Sequence, residues 1–263
     1  MDSTSRKTPQ GRTELHFHLL PGVDDGPERL DESVELARMA VERDDTATIV
    51  ATPHVRGDQL TDVGELPARI AEVEAALAAV GLDVRVRRGG ELGHDMVGRL
   101  SQGELGSIAL GPPTGRWLLL EAPFDADAGP AFHAAAEELR DRGFGVLIGH
   151  PERCPALLHH EQAGLRRELE HGALAQVNAS SLTGAHGAAA AADGLRLIER
   201  GLAVVVASDA HGERRPPRLS AACTRLVSSG VEPRTALRVT GSAPRALLAR
   251  GFGTPQRAPA SYA

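Results

Sequence analysis

Two histidines near the amino terminus have the spacing of a metal-binding pair. His16 and His18 lie two positions apart in the segment TELHFHLLPGVDDG, and Asp25 follows closely. If this segment begins as a strand, both imidazoles share one face, because alternate side chains of a strand point the same way. Two imidazoles and a carboxylate can bind a divalent ion, but a lone His-x-His pair is also common at ordinary structural positions.

The elements that would position such a site follow from the apolar pattern. Strands are predicted at residues 13–17, 46–51, 84–88, 116–121, 145–148, 174–177 and 203–207, and helical repeats lie between them. Strands that alternate with helices indicate a parallel sheet of the α/β class. This number of units closes most simply into a barrel, and the length of 263 residues fits one such domain.

Side chains with metal-binding groups lie at or just beyond the ends of these strands. In a parallel barrel the carboxyl ends of all strands meet at one mouth, where the active site lies. Singly, each residue has an ordinary explanation; Glu121, for example, could cap a helix. Together they predict a metal cluster, and their number suggests two or three ions such as manganese, zinc or iron. The residues are His16, His18, Asp25, His54, Glu91, Glu121, His150, Asn178, Asp209 and His211.

The other histidines show no comparable pattern. They fall in predicted helices or loops, and we interpret them as surface or structural residues. They are His94, His133, His159, His160, His171 and His186.

Composition excludes several classes of protein. The formal net charge is −6 and there is no block of basic residues, so nucleic acid is not expected as a partner. The single lysine, Lys7, lies in the predicted N-terminal tail, so the domain has no lysine for a Schiff base or a phosphate-binding loop. No apolar run is long enough to insert into a membrane. Two cysteines without a disulfide framework fit the cytoplasm.

Residues 1–12 and 254–263 are predicted to be flexible tails of a domain that covers 13–253.

A cysteine-dependent phosphatase is a competing possibility that the spacing disfavours. That mechanism needs a cysteine and an arginine six positions apart around the phosphate. The residue six beyond Cys154 is His160, and six beyond Cys223 is Ser229. We interpret Cys154 as a small neighbour of the site.

Six motifs, taken as an ordered set, resemble a known family. They occur between about Thr13 and Leu248 and read HFHLLPGVDDGP, ATPHV, LLLEAPF, GHPER, QVNASSLTG and ASDAHG. They resemble the PHP superfamily of metal-dependent phosphoesterases, and within it the bacterial tyrosine phosphatases encoded with capsular and exopolysaccharide genes. The resemblance implies a distorted (β/α)7 barrel. It also implies a hydrolase that acts on phosphotyrosine in the tail of a polysaccharide-synthesis tyrosine kinase.

The resemblance further implies three divalent ions, commonly manganese, with iron, zinc or magnesium as alternatives. For the first ion the implied ligands are His16, His18, Glu91 and Asp209. For the second they are Glu91, Glu121 and His150, and for the third Asp25, His54 and His211.

The GHPER motif places Arg153 where the family has its phosphate-binding arginine. Arg215 is the candidate for a second such residue, and Asn178 for a further substrate contact. The expected mechanism is in-line attack on phosphorus by a water or hydroxide that two ions activate. Arg153 would hold the phosphate oxygens, while the third ion or His54 would help the phenolate to leave.

Two other functions stay open at the level of sequence. A small-molecule phosphomonoesterase, such as a histidinol-phosphate phosphatase, would share the metals and differ in its loops. A metal-stabilised binding module would associate with a kinase or polymerase without hydrolysing anything. The sequence leaves the oligomeric state and the role of Arg56 undecided.

Overall fold

Parallel strands alternate with helices in the computed structural model, which describes residues 11–252. The strands are β1 (Arg12–Phe17), β2 (Thr46–Ala51), β3 (His54–Val55), β4 (Arg85–Arg88), β5 (Glu91–Leu92), β6 (Trp117–Glu121), β7 (Gly145–Gly149), β8 (Leu174–Asn178) and β9 (Val205–Ala207). They form a parallel sheet in the order β1-β2-β4 and a second in the order β3-β5-β6-β7-β8-β9. The predicted α/β class with parallel sheets is confirmed.

Residues 11–252 also form ten α-helices, of which seven lie between strands and three follow β9. They are α1 (Leu30–Asp44), α2 (Leu66–Ala79), α3 (Gln102–Ile108), α4 (Gly129–Asp141), α5 (Pro155–Glu170), α6 (Ala179–Leu182), α7 (Gly187–Glu199), α8 (Leu219–Ser228), α9 (Pro233–Leu237) and α10 (Ala243–Arg250). Helix α5 is interrupted at residues 159–162, whose backbone leaves the helical region. Within residues 11–252, no helix has the length and apolarity that a membrane crossing needs.

Strand β1 begins one residue before the predicted strand. Arg12, assigned to a flexible tail, opens β1, and its Nη1 donates to the backbone oxygen of Asp44 at 3.1 Å. Residues 1–10 and the predicted tail 254–263 lie outside the described residues. The remaining domain limits stay predictions.

Two short strands that the sequence did not predict continue longer ones. Strand β3 follows β2 after Pro53, and β5 follows β4 after Gly90. Across these breaks, Gly89 N donates to Ala51 O and Glu91 N to Pro53 O, each at 2.9 Å. The two sheets are therefore continuous, because β3 prolongs β2 and β5 prolongs β4. His54 is the first residue of β3, and Glu91 is the first residue of β5.

Gly89 and Gly90, which link β4 to β5, are required by close packing and not by backbone conformation. Neither has a left-handed backbone. A Cβ atom on Gly89 would lie 2.7 Å from Val50 Cγ1, and one on Gly90 would lie 2.9 Å from Val55 Cγ2. Close packing between neighbouring strands therefore excludes a larger side chain here.

The first strand is also a neighbour of the last. His18 N donates to Ala210 O at 2.9 Å, and Asp209 N donates to His16 O at 3.0 Å. A small apolar cluster collects side chains from both ends of the chain and from the strands between them: Leu15, Val50, Leu110, Trp117, Leu119, Leu147, Val205 and Leu247. These contacts agree with the predicted barrel, whose closure stays a prediction.

A buried carboxylate ties α4 to α5. Glu168 is fully buried and receives His133 Nδ1 and Arg140 Nη1 at 2.6 Å each. A buried charge is tolerated where it is paired and hydrogen-bonded. His133 therefore has the structural role that the sequence assigned to it.

We predict that Glu168→Ala lowers the free energy of unfolding by about 2 to 4 kcal/mol, because it leaves two donors without their buried acceptor. Glu170→Ala, an exposed position on the same helix, is the matched control. Urea denaturation of both variants measures the difference. Equal stability of the two would show that the Glu168 cluster contributes nothing.

Candidate metal centre

The predicted metal ligands meet at the carboxyl ends of the strands. All nine predicted histidine, aspartate and glutamate ligands belong to groups in which one nitrogen or oxygen atom of each residue lies within 4.8 Å of the others. The groups are His18, Asp25, His54 and His211; His16, His150 and Asp209; His16, His18 and Glu91; and His54, Glu91 and Glu121. The other six histidines belong to no such group among residues 11–252.

Four side chains have the mutual spacing of one ligand set. The Nε2 atoms of His16 and His18 are 3.2 Å apart. Each lies 3.2–3.4 Å from Glu91 Oε2 and Asp209 Oδ1. Tetrahedral donors at about 2.0–2.1 Å from an ion are about 3.3–3.4 Å apart. This spacing fits the set that the motifs implied for the first ion.

Several of these atoms are buried without a hydrogen bond inside the described part of the chain. Glu91 Oε2 approaches His54 Nδ1 to 2.8 Å, yet neither atom has the alignment that a hydrogen bond requires. His150 Nδ1 and His211 Nε2 also make no hydrogen bond, although His211 Nε2 lies 3.1 Å from Asp25 Oδ1. Unsatisfied buried polar atoms are costly. Lone pairs that converge without hydrogen bonds are what divalent ions need, so the donor set fits metal binding.

The other two implied sets agree with the geometry only in part. The implied third set, Asp25, His54 and His211, falls within one group together with His18. For the second set, His54 rather than His150 lies in the group of Glu91 and Glu121. His150 contacts the other oxygen of Glu91, with 2.9 Å between Nε2 and Oε1. The assignment of ligands to individual ions stays a prediction.

Two buried amide side chains, Gln176 and Asn178, connect two ligands of the first set, His16 and Asp209, through hydrogen bonds. His16 Nδ1 lies 3.0 Å from Gln176 Oε1, Gln176 Nε2 donates to Asn178 Oδ1 at 2.7 Å, and Asn178 Nδ2 donates to Asp209 Oδ2 at 2.6 Å. This network assigns the proton of His16 to Nδ1 and leaves Nε2 free to bind a metal. Asn178, predicted as a substrate contact, is fully buried and is placed to orient Asp209.

Asp24 holds the second histidine in the same way. Its Oδ2 lies 2.7 Å from His18 Nδ1 and accepts the backbone N–H of His54 at 2.9 Å. His211 Nδ1 faces the backbone oxygen of Asp209 at 3.0 Å. In each case Nε2 is left to face the carboxylates.

Sequence reasoning missed Asp24, Gln176 and Glu14. Glu14 is fully buried and accepts the backbone N–H of Ser208 at 2.9 Å, and burial raises its pKa to about 8. Gln176 and Glu14 each lie two positions from a recognised residue on a strand, so the period of two could have revealed them. Nothing in the sequence distinguishes Asp24 from Asp25.

The centre carries concentrated negative charge. Burial would raise the pKa of Glu91 and of Asp209, but His16 and other neighbours hold both pKa values well below their usual range. Burial lowers the pKa of His54, yet Asp25 and Glu91 raise it to about 10. The ionised carboxylates attract cations, and a metal ion that binds here must displace the protons of these imidazoles.

Three arginines border the mouth above these groups. The mouth has a volume of about 180 Å³ and is lined by Asp25, His54, Arg56, Gln59, Glu121, Phe124, His150, Arg153, Asp209 and Arg215. Arg215 Nη2 donates to Asp209 Oδ2 at 2.7 Å, and Arg153 Nη1 reaches the same oxygen at 3.4 Å. Arg56 Nη1 lies 3.3 Å from Glu121 Oε2. Guanidinium groups suit the oxygens of a phosphate.

A model of the family described as capsular polysaccharide synthesis, CpsB/CapC, matches residues 12–249. The chain belongs to this family. YwqE of Bacillus subtilis, described as a tyrosine-protein phosphatase, is 32% identical over 75% of this chain and 76% of its own length. The putative tyrosine-protein phosphatase CapC of Staphylococcus aureus is 29% identical over 78% of each chain.

A solved structure from work on YwqE and Streptococcus pneumoniae CpsB, described as metal-dependent tyrosine phosphatases, is also similar. It has a TM-score of 0.76 and 28% identity, with 92% of this chain and 97% of that chain covered. The predicted resemblance to the capsular tyrosine phosphatases is confirmed.

We predict that Gln176→Ala weakens Mn²⁺ binding by about 10- to 100-fold, because His16 loses the acceptor that fixes its tautomer. Competition with a fluorescent chelator measures the affinity. Gln59→Ala, an exposed glutamine at the mouth, is the control. Unchanged affinity in Gln176→Ala would contradict this role for the amide chain.

Proposed function

We propose that this protein is a metal-dependent phosphatase that hydrolyses phosphotyrosine in proteins. The observation that carries the proposal is the position of Arg153 and Arg215, which both reach Asp209 Oδ2 at the rim of the ligand group. Cationic forks beside a metal-binding group provide what a phosphate dianion needs. The description of YwqE and CapC as tyrosine-protein phosphatases supports the same substrate.

Three divalent ions, with manganese as the first choice, would be held by the nine clustered residues. They are His16, His18, Asp25, His54, Glu91, Glu121, His150, Asp209 and His211. When bound, such ions lower the pKa of a coordinated water and supply the nucleophile at neutral pH. The absence of thiolates from the clustered groups agrees with manganese, iron, zinc or magnesium.

The protein side chains would bind and orient the phosphate. Arg153 and Arg215 are partly exposed and can present free N–H groups to the phosphate oxygens while Asp209 anchors them. Arg56 borders the same mouth and donates from Nη1 to Glu121 Oε2 at 3.3 Å. His54 was predicted as both a ligand and a catalytic group. Its Nδ1 faces Glu91 and its Nε2 faces Asp25 at 3.4 Å, which supports the ligand role better.

We further propose that the seven strand positions close into a distorted (β/α)7 barrel. The hydrogen bonds between the end of β1 and residues 209–210 support this closure. The partner that we propose is the phosphotyrosine-bearing tail of a bacterial tyrosine kinase in capsule or exopolysaccharide synthesis. Two free cysteines fit a cytoplasmic location for that encounter.

The alternatives differ from this proposal in what they hydrolyse. A small-molecule enzyme would prefer histidinol phosphate to a phosphotyrosine peptide, and a binding module would hydrolyse neither. A cysteine mechanism is disfavoured, because Cys154 is fully buried and burial raises the pKa of its thiol.

We predict that the purified protein hydrolyses a phosphotyrosine peptide when loaded with Mn²⁺ and loses this activity on complete chelation, because the nucleophile depends on the ions. Phosphate release from the peptide and from histidinol phosphate, before and after chelation and after Mn²⁺ is restored, provides the measurement. Activity that survives metal removal would refute the mechanism, and a preference for histidinol phosphate would refute the substrate.

We predict that Arg153→Ala lowers kcat/KM for the phosphotyrosine peptide by about 10²- to 10³-fold, because a preorganised donor to the phosphate is lost. Arg153→Lys should recover only part of it, since lysine keeps the charge without the fork. Metal content, measured by elemental analysis, should equal that of wild type. Loss of metal from Arg153→Ala would show that the residue is structural.

A further inference from the structure

Phe124 is an exposed aromatic side chain at the edge of an otherwise polar mouth. It lies in the loop between β6 and α4, and 48% of its surface is accessible. Within residues 11–252, it is the only apolar side chain that lines the mouth. A single exposed apolar side chain is common at protein surfaces, so the position of Phe124 at the mouth and its contacts carry the inference, not its exposure.

Two residues of the site hold the Phe124 ring in place. The ring lies parallel to the imidazole of His150, with 8° between the planes and 5.6 Å between the centroids. The Arg153 guanidinium carbon lies 4.6 Å from the centre of the ring. Offset stacking and a cation over the ring are both favourable arrangements. Phe124 is therefore oriented by one metal-ligand candidate and by the proposed phosphate-binding arginine.

Phe124 also lines two wider clefts beside the mouth. One, of about 590 Å³, lies on the side of Arg153, Pro155 and Leu158. The other, of about 540 Å³, lies on the side of Arg56, Asp95 and Arg99. A group attached to a phosphate in the mouth can therefore extend into either cleft only along the side that Phe124 lines.

We propose that Phe124 binds the phenyl ring of the substrate and makes the site selective for aryl over alkyl phosphates. The inference rests on the proposed phosphatase function. In phosphotyrosine only the ester oxygen separates the phosphate from the ring. With the phosphate held by Arg153, the ring is confined to the neighbourhood of Phe124. The other surfaces of the mouth are charged or polar and give a phenyl ring no apolar contact.

The experiment compares substrates that share a phosphate and differ in the attached group. For wild type and Phe124→Leu, both loaded with Mn²⁺, kcat/KM is measured on phenyl phosphate, on a phosphotyrosine peptide and on glycerol 2-phosphate. Leucine keeps an apolar side chain and removes the aromatic face. We expect a loss of about three- to tenfold on both aryl substrates, the range of an aromatic pair, and less than twofold on the alkyl substrate. Leu237→Ala, another exposed apolar position, is the control and should change none of these values.

A binding measurement keeps this inference separate from the proposed activity. Calorimetric titration of the metal-loaded protein with phenylphosphonate and methylphosphonate reports ring recognition without turnover. Phe124→Leu should weaken the phenyl ligand alone. An equal loss on both ligands would show that Phe124 acts by positioning Arg153, and no loss would show that it does not contact the ring; either result overturns the inference. Ring recognition without hydrolysis of the peptide would instead refute the proposed function alone.

Discussion

Two ionised carboxylates, Glu91 and Asp209, are buried at the point where the strands converge, and the rest of the site depends on them. Burial of an unpaired carboxylate would cost more than a marginally stable domain can tolerate. The fold compensates with imidazoles on one side, with the Asn178 amide behind Asp209, and with arginines above it. These partners follow several different strands, so the parallel arrangement makes the compensation possible.

The charges of these carboxylates also explain why hydrogen-bonded side chains surround them in two successive steps, first their direct partners and then the acceptors of those partners. A carboxylate can accept several bonds, so Asp209 faces two histidines through one oxygen and receives Asn178 and Arg215 at the other. The histidines then need acceptors for their remaining protons, which Gln176 and Asp24 provide. The left-handed backbones of His150, at a φ of 37°, and Asp209, at a φ of 53°, add a local cost that this surrounding structure sustains.

The sequence was most informative where one physical signal dominated. The β-branched, apolar run of residues 46–51 predicted β2 to the residue, because a fully buried strand has no competing pattern. The sequence did not predict β3 and β5, because a strand of two residues is too short to show an alternating pattern. Pro53 and Gly90, which come just before them, also suggested that the strands had ended. The ligand candidates followed from their positions at strand ends. Which imidazole shares which carboxylate depends on side-chain directions and distances within a few ångströms, and no spacing in the chain encodes these.

The order of the first ligand set along the chain has a consequence for biosynthesis. The ribosome adds Asp209 about 190 residues after His16 and His18. A nascent chain can therefore offer only a partial and weak site, and ligand geometry appears together with the folded state. With the proposed ligand sets, the ion would therefore bind after the protein has folded, from the metals present in its compartment. Cellular metal supply, rather than the timing of translation, would then decide which cation the enzyme carries.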